Sequence, residues 1–124
     1  MRLNAAYITK EHTQDLVKFQ SLLKDCCWLF GIDNEVATAP SRQHKPLFAR
    51  VMFCYVAQHP YFKKQLNANH SQTLISRFIN RHRSRASAMK QTAISLYLYD
   101  RKFREVVDGT EYKIYFETIK KQKI

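Results

Sequence analysis

Between Glu35 and Asp100 the sequence has no acidic residue. Its ten carboxylates divide five and five between residues 1–35 and 100–124, while residues 36–99 hold ten of the 21 Lys and Arg. That middle stretch therefore carries +10 of a net charge of +11. A solvated surface ordinarily mixes both signs. A long stretch of one sign sets up a field that draws a polyanion, and nucleic acid is the first candidate. Turn formers are scarce as well. Two Gly and three Pro in 124 residues favour helices with short connections. No apolar run reaches the length of a membrane span, and the N-terminal MRLNAAYITKEH has no apolar region of the secretory type. The expected location is the cytoplasm, on the nucleoid if the partner is DNA. Three Cys, two of them adjacent as Cys26 and Cys27, show no paired framework. The absence of CxxC, HxxxH and any Cys/His cluster argues against a structural zinc. The absence of a Gly-x4-Gly-Lys phosphate loop excludes a P-loop nucleotide site. No metal, nucleotide or other cofactor is expected.

What is present points to a folded, all-α chain. Hydrophobic content is 45%, and eight Phe, seven Tyr and one Trp argue against disorder. The length suits one domain with its own core, here of five to six helices over residues 1–124. Residues 10–30 have helical periodicity, with Leu16, Phe19, Leu23, Cys26 and Phe30 on one face. Thr9 suits an N-cap, Glu11 and Asp15 suit the positive end of the helix dipole, and Gly31 suits the stop. This helix and its end, residues 1–32, form the N-terminal part. Residues 33–44 read as a polar connector. A second helix has Pro46 in its first turn, where a missing N–H costs nothing. From Leu47 to Ala57 it is apolar nearly all round, the pattern of a central helix, and Arg50 is its only charge. Arg50 either snorkels to water from near a helix end or serves a ligand. Cys54, within VMFCYVA, reads as core packing. Residues 59–70 read as a loop with one helical turn that carries Lys63 and Lys64 on the surface.

Residues 71–98 are the most informative. Ser71 suits the cap of a short helix, SQTLISRFI, with Leu74, Ile75 and Phe78 on one face. Asn80 tolerates the left-handed backbone that ends a helix. Arg81, His82 and Arg83 follow, then a longer helix from about Ser84 to Leu98. Ala86, Met89, Ala93 and Leu96 form its inward stripe. Ser84, Ser87, Gln91 and Ser95 lie opposite, with Arg85 and Lys90 beside them. A short helix, a tight turn and a longer helix with a basic N-terminus have the shape of a helix-turn-helix. Small side chains let such a helix approach a groove, hydroxyl and amide groups reach base edges, and clustered Arg meet phosphate or guanine. Two packed helices with a solvated basic turn would give the same pattern. Together, residues 45–98 make the buried helix and helix-turn-helix. In residues 100–124, Asp100 suits an N-cap. Phe103, Val106 and Val107 face inward, and Thr110 caps a last helix whose Tyr112, Tyr115, Phe116 and Ile119 pack inward or support a homodimer.

Several of these segments, taken in order, resemble a known family. They are Trp28-Leu29-Phe30-Gly31-Ile32, Ser41-Arg42, the run Phe48-Ala49-Arg50-Val51-Met52-Phe53-Cys54-Tyr55-Val56-Ala57, and Ser71 to Arg81 followed by a helix. The chain resembles, over roughly residues 20–93, the C-terminal DNA-binding domain of the bacterial replication initiator DnaA and the small stand-alone proteins that carry it. The resemblance implies a Trp-repressor-like helix-turn-helix fold and double-stranded DNA as partner. It implies that Arg50, at Ala49-Arg50, reaches the minor groove, and that residues 81–86 contact bases in the major groove. Arg81 and Ser84 match the family signature Arg-Asp-His-Ser/Thr-Thr-Val. His82, Arg83 and Arg85 stand where it has Asp, His and Thr, and the 59–70 loop is longer. These departures fall on the base-reading positions and predict an altered target. Without a phosphate loop, the chain would act as a binding module alone, in replication initiation or transcription regulation of a phage or mobile element.

The leading expectation is thus a non-enzymatic DNA binder. Arg81, Arg83, Ser84, Arg85 and Ser87 would serve the major groove and Arg50 the minor groove. Arg42, Lys45, Arg77 and Lys90 would hold phosphates. His82, among three Arg, is disfavoured as a cation and would act as a neutral hydrogen-bonding group. Two alternatives use the same charge: a protein module that binds an acidic partner, and an RNA binder with Tyr and Phe as stacking platforms. Catalysis is the poorest reading, because five scattered His have no carboxylate between residues 36 and 99 to orient them.

Overall fold

The computed structural model describes residues 10–38, 44–68, 70, 74–76, 79 and 85–122. Among them the chain is all-helical, with seven helices and no strand. These are α1 (Lys10–Leu29), α2 (Asn34–Thr38), α3 (His44–Ala57), α4 (Pro60–Lys63), α5 (Arg85–Tyr99), α6 (Arg101–Asp108) and α7 (Lys113–Gln122). Residues 74–76 add a helical turn ahead of α5.

The end of α1 follows from Gly31. Its φ of +70° is a conformation that L side chains resist. It lets Gly31 N–H reach the Trp28 carbonyl at 3.1 Å and Ile32 N–H the Cys27 carbonyl at 2.9 Å. This paired closure satisfies carbonyls that the helix end leaves open. Phe19, Leu22, Leu23, Cys26, Cys27 and Phe30 are buried, and Leu16 is half-buried. The connector after it is not wholly irregular. It holds α2, started where Ala37 N–H meets the Asp33 carbonyl at 3.1 Å, and Ala37 is fully buried. Thr9, the expected cap of α1, lies outside the described residues.

Helix α3 is the central element. Every residue from Ala49 to Gln58 is buried, as an apolar surface all round requires. Helix α1 runs antiparallel to it, with Phe19 against Phe53 (6.3 Å between ring centroids) and Phe30 against Phe48 (5.5 Å). Helix α5 is antiparallel to it on another side. Gln58 meets Ala86 there, and Cys54 Sγ lies 3.8 Å from Met89 Sδ. The inward stripe of α5 is Ala86, Met89, Ala93 and Tyr97; Leu96 is only half-buried. Tyr97 takes the inner place because its ring lies 5.0 Å from that of Phe116 and its hydroxyl donates to Asp108 Oδ1 at 2.6 Å.

Asp100 caps α6 by accepting from Phe103 N–H at 2.9 Å. Thr110 turns the chain into α7, which begins at Lys113. Tyr115, Phe116 and Ile119 are buried in the chain's own core. Phe116 stacks on Tyr55 at 4.3 Å, and the Tyr55 hydroxyl donates to the Tyr115 carbonyl at 2.7 Å. The aromatic stripe is therefore covered within one chain, and the apolar side chain α7 leaves exposed is Ile114. Cys26, Cys27 and Cys54 are free thiols and buried. Burial pushes the Cys26 thiol well up and raises Cys27 to about 11, the nearby Arg50 only partly offsetting this.

A buried carboxylate ties α1 to the loop after α4. Asp15 is fully buried and accepts from Asn67 N–H at 2.8 Å, Ala68 N–H at 3.0 Å and His70 Nε2 at 2.7 Å. Burial alone would raise its pKa. The hydrogen bonds from Asn67, His70 and Ala68, with the charge of His70, outweigh that and hold it below its ordinary value.

Candidate nucleic-acid interface

The acid-free segment contributes α3, α4, the 74–76 turn and all of α5. Its apolar residues build the centre of the core, Arg50 is buried among them, and of its described cations Lys63, Lys64 and Arg85 are exposed. The longer helix of the expected helix-turn-helix is α5. Its outer face exposes Arg85, Ser87, Ala88, Gln91, Thr92 and Ser95, with Lys90 half-buried at the side. No carboxylate lies on α5, and between Ser87 and Ser95 the exposed side chains are short apart from Gln91, while Tyr99 is exposed at the far end. A helix surface of this kind can enter a groove without steric or electrostatic opposition.

The N-terminus of α5 is held by two buried side chains. Ser76 Oγ accepts from Ala86 N–H at 2.8 Å, taking up one of the four donors a helix start leaves unpaired. Gln58 Nε2 donates to the Ala86 carbonyl and to the Cys54 carbonyl, both at 2.9 Å. Ser76 is fully buried and Gln58 nearly so. Ala86 is thus fixed from both sides of its peptide unit, one residue after Arg85. Neither anchor stands out in the sequence. Gln58 is signalled only as a polar residue ending an apolar helix, and Ser76 only as a hydroxyl inside LISRF.

Helix α4 is entered through His59, whose Nδ1 accepts from Tyr61 N–H at 3.1 Å. Burial, helped by the charge of Lys90, lowers the pKa of His59 and favours the neutral ring this bond needs. Lys63 and Lys64 are exposed, as their setting in the sequence suggests. Lys45 lies in the first turn of α3.

Arg50 is buried within the central helix. It is 3% exposed, so it does not snorkel to water. Its Nε donates to the Ala37 carbonyl and ties α2 to α3. In this arrangement Arg50 is an internal donor, and a minor-groove contact would require it to leave Ala37. Arg42, Ser71, Arg77, Phe78, Asn80, Arg81, His82, Arg83 and Ser84 lie outside the described residues. Arg81 to Ser84 directly precede α5 in the chain.

Among the described residues, no three His, Cys, Asp or Glu side chains gather as a metal site would require. No helix there is long and apolar enough to cross a membrane. Among the described residues most aromatic rings belong to the core, and those clearly exposed are Trp28, Tyr61 and Tyr99. No protein-family model, curated protein or solved structure matches the chain.

Proposed function

We propose that the chain is a non-enzymatic binder of double-stranded DNA that reads the major groove with α5 and the residues just before it. The observation that carries this reading is the outer face of α5 from Ser87 to Ser95: mostly small, with hydroxyl and amide groups and no carboxylate, preceded by Arg85 and with its first turn clamped by Ser76 and Gln58. Arg81, Arg83, Ser84, Arg85 and Ser87 are assigned to base edges, with His82 as a neutral hydrogen-bonding group. Arg42, Lys45, Arg77 and Lys90 are assigned to phosphates. The buried Arg50 is assigned to holding α2 on α3 rather than to a groove. Likeness to the DnaA C-terminal domain is consistent with this docking, and the changed residues at 82, 83 and 85 imply a different target from that family's.

Selection from a random double-stranded DNA pool at about 150 mM salt, where screening length is about 8 Å, should recover a sequence motif. With four to six phosphates neutralised, log K should fall against log salt with a slope of about −4 to −5. Arg85→Ala should weaken the recovered site by roughly 1–3 kcal/mol. No enrichment, or an Arg85→Ala variant that binds as tightly, would overturn the assignment.

A further inference from the structure

The only Trp of the chain is Trp28, and it is 78% exposed on α1. An indole so placed is unusual for a surface with no partner, because it leaves a large apolar face in water. Two open clefts flank it. One, of about 320 Å³, lies between Trp28, Leu29 and the start of α7, and is lined also by Asp25, Glu111 and Tyr112. None of its described lining residues is basic. The other, of about 450 Å³, is lined by Trp28, Ile32, Asp25 and Asp33, with Lys24 the one cation among its described lining residues. The Tyr112 hydroxyl donates to Asp25 Oδ2 at 2.6 Å, which fixes that carboxylate beside the indole.

This corner departs from the basic charge of the middle segment. Asp25, Asp33 and Glu111 come from the two flanks that hold all the carboxylates of the sequence, and the fold brings them around one aromatic ring. It also lies away from α5's first turn. Phe30 packs on Phe48 and Gln58 on Ala86, so ten residues of α3, about 15 Å of helix, separate the two ends. Phosphate would be repelled by these carboxylates. A guanidinium or ammonium laid on the indole would be attracted by the ring and by the acids beside it.

We infer that Trp28 and its two clefts are a docking site for a protein segment that carries Arg or Lys between apolar side chains. The cation sits over the indole between Asp25 and Glu111, and a neighbouring apolar side chain takes the space beside Ile32. The site is independent of the DNA-binding face and keeps its partner whether or not that face is used.

Because Trp28 is the sole indole, its fluorescence reports this site alone. The probe is a capped peptide, Leu-Arg-Leu-Arg-Leu, titrated into the full chain without DNA, with Leu-Gln-Leu-Gln-Leu as its neutral counterpart. The expected result is a saturable change in indole emission with the Arg peptide only. Glu111→Gln and Asp33→Asn, both at exposed positions, should each weaken it by about fivefold, together more, as loss of an exposed charge contact implies. An equal response to both peptides, no response up to millimolar peptide, or affinity unchanged in the double variant would overturn the inference. An emission shift that grows with protein concentration alone would overturn it in favour of a second copy on the same surface.

Discussion

Asp15 has the most to lose from substitution. It lies in α1 with no exposure, yet three donors from residues 67, 68 and 70 converge on its carboxylate. Replacement by Asn keeps the size but removes the charge and one acceptor. Asp15→Asn should lower stability by about 2–4 kcal/mol in a urea titration, from hydrogen bonds left incomplete in a buried place. The pH dependence has a definite sign. Asp15 is held below its ordinary 3.8, so its contribution is full above that value and is lost as pH falls through the lower, folded value. A profile below pH 4 that is as steep in the Asn variant as in the parent would contradict this. Arg50 is the second such residue. Arg50→Met should destabilise the fold by about 2–3 kcal/mol by leaving the Ala37 carbonyl unmet, while the folded protein keeps its affinity for DNA and its salt slope. A stable fold with a selective loss of affinity would instead put the guanidinium in a groove. The sequence marks Arg50 as a charge needing an explanation, but its explanation lies 13 residues away at Ala37.

The helices show why some structure was legible and some was not. The end of α1 at Gly31, the cap of α6 at Asp100 and the burial of α3 could all be anticipated. Each rests on contacts within a few residues or on a repeat long enough to count. Helix α2 could not be anticipated, because five residues are too few to show a period. The inward stripe of α5 went to Tyr97 rather than Leu96 because of partners in α6 and α7 that periodicity does not contain. The clamp on α5 has the same character: Ser76 acts across 10 residues and Gln58 across 28. Of the candidate site, the outer face of α5 was readable and its support was not. Ser76→Ala should cost about 1–2 kcal/mol, as loss of a helix cap does, and should speed hydrogen exchange at Ala86 ahead of the rest of α5. Uniform exchange along the helix would mean that Ser76 does not hold its start.

The whole chain folds a linear segregation of charge into a spatial one. The acid-free segment supplies the core's central helix and the proposed groove-reading helix, while Asp25, Asp33 and Glu111 meet around Trp28. If the chain binds duplex DNA as proposed, this acidic corner would repel the duplex and long-range steering would turn it toward α5 before contact. That ordering was visible in the sequence as a run without acids. The convergence of carboxylates from residues 25, 33 and 111 was not, since it needs the turn before α7 to return beside α1.

The buried thiols make the molecule its own timekeeper. Cys26 and Cys27 sit in α1 and Cys54 in α3, all in the core. With a pKa of about 11, Cys27 at pH 8 is thiolate in about one molecule in a thousand even before access is considered. Alkylation must therefore wait for the core to open. Mass spectrometry of native protein held in iodoacetamide should find all three thiols modified at one common rate if α1 and α3 part only when the whole fold does. Earlier modification of Cys26 and Cys27 than of Cys54 would show α1 lifting from the central helix as a separate event.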